Sequence, residues 1–178
     1  GSSLKSDAYL SSGIPFLRIS DLENFIIDGA NLIYISKEDN ARLKQSQLFP
    51  FDLVLSKVGN TIGIVSAVPE EFKVCNISEN NIGIKFKDPK ITSDKKAFLL
   101  VFLNSKLGFS QIMRSISGNA QPKLNVQDVY DLIYPIPSKA FSESTESILI
   151  EAKKKLYQSN ILYQEAEKLL LEELGLND

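Results

Sequence analysis

Histidine is missing altogether from this 178-residue chain, and cysteine occurs once, at Cys75. Without an imidazole, no Ser-His-Asp or Cys-His nucleophile system can be assembled. Histidine-ligated zinc is excluded for the same reason, and one thiol cannot build a cysteine zinc site or an internal disulfide. Cysteine use this sparse fits a reducing compartment, so a cytoplasmic location is expected. No apolar run approaches the ~18 residues that a membrane-spanning helix needs, so no membrane association is expected. A signal-peptide pattern is lacking too, and Gly1-Ser2-Ser3, with no starting methionine, is expected to be a cloning remnant. Charge of one sign is not in excess. The formal net charge is −2, so any nucleic-acid binding must come from a local patch.

Motifs for small-molecule chemistry are also lacking. Gly59-Asn60-Thr61-Ile62-Gly63 is glycine-rich, but the lysine and following Ser or Thr of a phosphate loop are missing. No Gly-x-Gly-x-x-Gly stands between a strand and a helix. An Asn/Asp-Pro-Pro-aromatic sequence, the usual amino-methyltransferase site, is absent, and Tyr134-Pro135-Ile136-Pro137 is no substitute. As an enzyme, the chain lacks parts. No catalytic residue and no metal ligand set is expected.

Apolar residues make up 43% of the chain and charged residues 24%, enough to bury a real core. Two parts of different texture follow one another. Residues 1–142 carry 16 Lys and Arg against 14 Asp and Glu, whereas residues 143–178 carry 4 Lys against 8 Asp and Glu. The first part reads as mixed α/β, an α+β globular domain. Phe16–Ile19, Asn31–Ile35, Asp52–Val58, Gly63–Val68, Val74–Ile77 and Ile82–Phe86 have strand-like content, the last with a period of two. Asp52–Val58 and Gly63–Val68 make a hairpin around Val58-Gly59-Asn60-Thr61. Ser36 looks like a helix N-cap, with an acid three residues on. Phe98, Leu99, Phe102, Leu103, Leu107, Ile112 and Ile116 have helical spacing, and Gly108 is expected to break that stretch in two. Val126–Leu132 reads as a short helix, and Ile133–Pro137 as an extended exit from the domain.

Residues 143–178 read as one long helix. Ser144 to Leu174 contains no proline or glycine, and Gly175 stands where a helix-ending residue belongs. Leu149, Ala152, Leu156, Ser159, Tyr163, Ala166 and Leu170 alternate steps of three and four, a heptad-type seam. Such a helix extends about 45 Å, longer than a domain this size readily covers. It either folds back on its own domain or forms a coiled coil with a partner helix, and the length favours the coiled coil.

Two clusters of residues are candidates for function. Asp52, with Glu71-Phe72-Lys73, has the form of a Mg²⁺-dependent nuclease site, two carboxylates for the metal and a lysine beside the attacking water. The triplet also reads as an ordinary solvated turn. The other candidates are polar loop residues suited to DNA: Lys57, Asn60, Thr61, Asn80, Asn81, Asn119, Gln121 and Lys123. Asn and Gln can bond adenine through two hydrogen bonds, and Lys can reach guanine or phosphate. Plain solvated loops are the bland alternative.

Four segments share a further property. Gly13-Ile14-Pro15-Phe16-Leu17-Arg18-Ile19-Ser20-Asp21-Leu22 resembles the opening of a target-recognition domain from the specificity subunit of type I restriction-modification systems. Phe51 to Gly63 resembles that family's segment of aspartate, strand, basic residue and glycine turn. Ser117 to Asn125 resembles its glycine-to-glutamine loop. Ile133 to Pro137 resembles the proline-marked end of the domain, which the family follows with a spacer helix. The resemblance implies a non-catalytic, sequence-specific DNA-recognition subunit that binds one half of a bipartite site. Its partners would be double-stranded DNA, an N6-adenine methyltransferase subunit and a restriction subunit. S-adenosylmethionine, ATP and Mg²⁺ would belong to those partners, with no cofactor on this chain. A full specificity subunit alternates two recognition domains with two spacer helices, so one of each makes a half subunit. Residues 1–142 would be the recognition domain. Residues 143–178 would be the spacer helix, pairing into a homodimer through Leu149, Ala152, Leu156, Tyr163, Ala166 and Leu170. The family often has Arg where this chain has Lys57, and Lys lacks the planar fork of a guanidinium. A specificity domain detached from a single-chain restriction-modification enzyme is the alternative within the same class.

Overall fold

The computed structural model describes residues 3–116 and 122–176. Strands β1 (Ile14–Leu17), β2 (Ile33–Ile35), β3 (Gln47–Leu48) and β6 (Cys75–Ile77) form one sheet in the order β2-β1-β6-β3. Within it β1 and β6 run parallel and the other pairs antiparallel. Strands β4 (Leu53–Ser56), β5 (Val65–Ala67) and β7 (Asn81–Ile84) form a second, antiparallel sheet in the order β5-β4-β7. The mixed α+β architecture agrees with the sequence reading. The expected alternation holds from β7 onward: Ile82, Ile84 and Phe86 pack on one apolar cluster, Gly83 faces Leu48 and Ile77 on the other side, and Lys85 is exposed.

Every residue of β4 is buried, and its two faces serve two cores. Leu53 and Leu55 join Val65, Ile82, Phe98, Leu100 and Ile112 in one apolar cluster. Val54 points the other way, into a cluster with Leu17, Leu48, Val68, Cys75 and Ile77. A strand with apolar neighbours on both sides needs a continuous Leu-Val-Leu run rather than an alternating one. Burying one such side chain contributes about 1.5–3 kcal/mol.

Helices α1 (Lys37–Arg42), α2 (Ser93–Asn104), α3 (Lys106–Ser115) and α4 (Val126–Tyr130) connect or cover the sheets. The Ser36 hydroxyl accepts the Asp39 N–H at 2.9 Å, so the expected cap of α1 is present. The break between α2 and α3 lies at Ser105, not at Gly108. Ser105 caps α3 with its side chain, accepting from the Gly108 N–H at 3.3 Å. Gly108 is buried within the first turn of α3 because a Cβ there would collide with the Phe102 carbonyl and come 2.8 Å from Leu103 Cα. Its role is the close crossing of the two helices.

Helix α5 runs from Lys139 to Glu173, 35 residues or about 52 Å. It starts five residues before Ser144, so the expected 142/143 boundary falls inside it. Its N-terminal part docks against α2. Phe141 meets the Phe98 ring edge-on at 6.0 Å, Leu149 packs on the larger core, and the Ser142 hydroxyl donates to the Asp94 carboxylate. The helix ends as expected at Gly175, whose N–H bonds the Glu172 carbonyl while the Leu176 N–H bonds that of Leu171. Among the described residues no helix is long and apolar enough to cross a membrane.

Hydrogen bonds, first from Ser142 and then from Thr92, hold the Asp94 carboxyl below the usual carboxylate range. A depressed folded-state pKa contributes stability above the unfolded value and loses it as pH falls through the folded one. Thermal unfolding of Asp94→Asn should therefore show a midpoint a few degrees below wild type at neutral pH. The gap should narrow once the pH drops below the ordinary carboxylate range. A gap that stays constant into strong acid would contradict this account of the α2–α5 joint.

Candidate nucleic-acid interface

Three chain segments meet at one end of the β5-β4-β7 sheet. The first is the turn leaving β4, Lys57 to Gly63. It is closed by the Ile62 N–H to the Gly59 carbonyl at 3.2 Å and by the Gly63 N–H to the Ser56 carbonyl at 2.9 Å. Gly59 and Gly63 adopt φ +74° and +93°, which ordinary side chains rarely tolerate. The second is the β6–β7 turn, Ser78 to Asn81, held to the first by the Lys57 N–H and the Asn80 carbonyl at 3.1 Å. The third is Lys123-Leu124. Val58 and Lys123 pair as an antiparallel bridge, and the Leu124 N–H bonds the Lys57 carbonyl at 2.9 Å. Residues distant in sequence thereby share one surface.

Lys57 is half-buried, and Asn60, Asn80 and Lys123 are exposed. Burial first, and then the nearby Lys123 ammonium, hold the Lys57 ammonium below the usual lysine range, while Glu79 pulls the other way. Two cations this close and only partly desolvated form a local patch suited to an anion, in a chain with no overall positive charge. Thr61 shares a hydrogen bond with the Ser56 hydroxyl at 3.1 Å, so part of its capacity is used inside the turn. Asn81 departs from the expectation of a DNA-facing side chain. It is 1% exposed, and its amide donates to the Leu17 carbonyl at 2.9 Å, tying the turn to β1. Asn119 and Gln121 lie outside the described residues.

Sequence reasoning missed one side of this surface. Arg18 and Asp21 clasp each other, with Nη2 to Oδ1 at 2.7 Å and Nε to Oδ2 at 3.2 Å, and Arg18 also donates to the Asn31 carbonyl at 2.7 Å. The clasp fixes the turn at Ile19-Ser20 beside Gly59, where a Cβ would lie 3.9 Å from Ile19 Cδ1. Tyr9, Arg18, Ser20, Ser78, Glu79 and Asn80 line a groove of about 300 Å³ next to the lysines. An Arg-x-x-Asp spacing at the end of a strand was the available signal.

The nuclease candidates differ in setting. Asp52 is buried, and its carboxylate accepts the Phe49 N–H at 2.9 Å as a turn cap. Glu71 and Lys73 sit exposed on the turn after Pro69. Among the described residues no group of three His, Cys, Asp or Glu side chains gathers as a metal site. Burial, reinforced by Asp52, pushes the Cys75 thiol up to about 12, far from a reactive thiolate.

Along α5 the expected seam divides. Leu149 is packed on the domain, whereas Leu156, Tyr163 and Leu170 remain 42%, 74% and 58% exposed, and Ala152 and Ala166 are exposed with them. The fold-back reading of the helix holds for its start only. Its start folds back, and its remainder projects with an uncovered apolar stripe.

No family model matches the chain. In sequence the chain is similar to the type I restriction enzyme EcoBI specificity subunit of Escherichia coli, 28% identical over 129 residues. That match takes in 72% of this chain and 26% of the relative. In fold it is similar to a chain from a structure of a type I R-M system, with a TM-score of 0.60 and 17% identity over 97% of this chain. It is also similar to the HsdS subunit from Thermoanaerobacter tengcongensis, with a TM-score of 0.51 and 16% identity over 99% of this chain. The chain spans about a quarter of its sequence relative and 39% and 40% of those two solved chains. The resemblance drawn from the four sequence segments is therefore found again in sequence and in fold.

The placement of Asn81 separates structure from contact. Asn81→Ala should lower stability by about 0.5–1.5 kcal/mol, because the side-chain tie to the Leu17 carbonyl is lost and only the Ser78 N–H still bonds that carbonyl. Asn80→Ala should leave stability within about 0.5 kcal/mol of wild type, as for an exposed residue away from special features. Chemical denaturation of both variants checks this, and equal losses would contradict the assignment.

Proposed function

We propose that this chain is a half-length specificity module of a type I restriction-modification system, non-catalytic by itself, that reads one half of a bipartite DNA site. The observation that carries the reading is the convergence of Lys57, Asn60, Asn80 and Lys123 on one end of a domain whose other appendage is a projecting, partly apolar helix. Lysines near a duplex position phosphates, while asparagines can bond base edges. Asn119 and Gln121, outside the described residues, are proposed as further DNA contacts, and Thr61 supports the turn. DNA, a methyltransferase subunit and a restriction subunit are the proposed partners, in the cytoplasm. S-adenosylmethionine, ATP and Mg²⁺ act on those partners.

The helix gives the second half of the proposal. Two copies pair α5 antiparallel through its exposed part, with Leu156 against the partner copy's seam near Tyr163. A two-fold dimer of this kind presents two copies of one recognition surface, so its DNA site is an interrupted palindrome. Lys154, Glu165, Glu167 and Glu173 make no ion pair within the described residues and are free to pair between helices. Antiparallel packing brings the lysines near 154 to the partner's acidic end, where parallel packing would stack them on lysines. Each exposed pair contributes only about 0.2–1 kcal/mol, so the leucine seam supplies the stability and the charges select direction.

Two measurements test the two halves. In anisotropy titrations on duplex DNA, Lys57→Ala and Lys123→Ala should each weaken binding and flatten the dependence of log K on log salt by about one unit. An unchanged slope in both variants counts against the surface. In sedimentation at tens of micromolar, the wild type should run as a dimer and Leu156→Glu as a monomer. A monomeric wild type, or a dimer indifferent to that substitution, defeats the helix pairing.

A further inference from the structure

Glu79 is out of place on a phosphate-binding surface. It occupies a corner of the Ser78–Asn81 turn, beside Asn80, and is exposed. The turn is held rigidly. The Ser78 N–H bonds the Leu17 carbonyl at 2.9 Å, and the Asn81 N–H bonds the Ser78 carbonyl at 3.0 Å. Asn80 in turn accepts from the Lys57 N–H, and the buried Asn81 amide reaches back to Leu17. Among the described residues Glu79 makes no hydrogen bond and no ion pair within 4.0 Å, although Lys57 is its neighbour. An anchored backbone thus carries a free carboxylate close to Lys57, at the rim of the groove lined by Arg18, Ser78 and Asn80.

Resting on the DNA-reading function proposed above, we infer that Glu79 is a specificity-determining residue that accepts a hydrogen bond from the exocyclic amine of a cytosine in the major groove. A carboxylate only accepts, and it is repelled by phosphate, so the backbone offers it nothing. On the base edges of a duplex its complements are amino groups. Adenine sets its N6 amine beside the N7 acceptor, which opposes a second acceptor, whereas the cytosine N4 amine has no acceptor next to it on its own base. The lysines fix the phosphate positions, and repulsion turns the Glu79 carboxylate away from them into the groove. The same residue also rejects sequences, because a guanine or thymine facing it sets acceptor against acceptor.

The test is selection from a randomised duplex library at low salt, with wild type, Glu79→Gln and Glu79→Ala, each first shown to unfold at the wild-type temperature. Wild type should recover a motif that contains a C·G pair. Glu79→Ala should lose about tenfold discrimination at that one pair and keep the rest of the motif. Glu79→Gln, which gains a donor, should shift preference there toward adenine. If Glu79 serves only as a counterion to Lys57, the alanine variant will bind all sequences more tightly, with an unchanged motif, and the inference is overturned. A motif recovered by wild type and left unaltered in both variants sinks the role of Glu79 alone. If wild type recovers no motif at all, the DNA-reading function falls with it.

Discussion

The joint between α2 and α5 governs what the rest of the molecule can do. A hydroxyl donating to a carboxylate, Ser142 to Asp94, sits beside an edge-on aromatic contact of Phe98 with Phe141. About two turns further along, Leu149 enters the larger core. Polar direction and apolar burial act together here. The hydrogen bond fixes the rotation of α5, and the leucine fixes its distance from the domain. An apolar contact alone would allow the helix to roll, because hydrophobic burial is not directional. Everything C-terminal to that joint inherits its orientation.

The same reasoning applies at the other end of the domain. β4 is walled in on both faces, so its position is set by two cores at once. A shift of one residue would send Leu53 and Leu55 into the space of Val54, at a cost to both clusters. The turn that follows β4 is thereby held still, and its neighbours are pinned to it through Lys57 by backbone hydrogen bonds. Side chains on those turns project from a rigid frame, the arrangement in which surface loops can carry recognition.

Much of this was legible from residue order. The Ser36 cap, the hairpin from β4 to β5 and the uninterrupted final helix rest on local rules, and local rules act within a few residues. The four family-like segments pointed to the same kind of protein that the chain is similar to in sequence and in fold. What escaped reading depends on contacts between distant residues. Gly108 looks like a helix breaker by composition, yet the break belongs to the Ser105 cap and the glycine to a tight crossing. Asn81 looks like its exposed neighbour Asn80, and only the approach of β1 decides that its amide is spent on Leu17. The start of α5 carries the same apolar spacing as its end. Spacing reports that a stripe will be covered, and not whether the cover comes from the same chain. The Arg18–Asp21 clasp went unread because its importance comes from Gly59, about forty positions away.

The free part of α5, from Lys154 to Glu173, behaves as a lever about 30 Å long with its fulcrum at the Leu149 contact. A tilt of about 6° at that fulcrum carries the far end through about 3 Å, nearly the ~3.4 Å rise of one base step. In the proposed dimer two such levers lie between the two reading surfaces. The number of unread base pairs between the half-sites is then an angular quantity, set by a few side chains at the α2–α5 joint. Substitutions at Phe98, Phe141 or Leu149 would change the gap length that is tolerated while the bases read at either end stay the same.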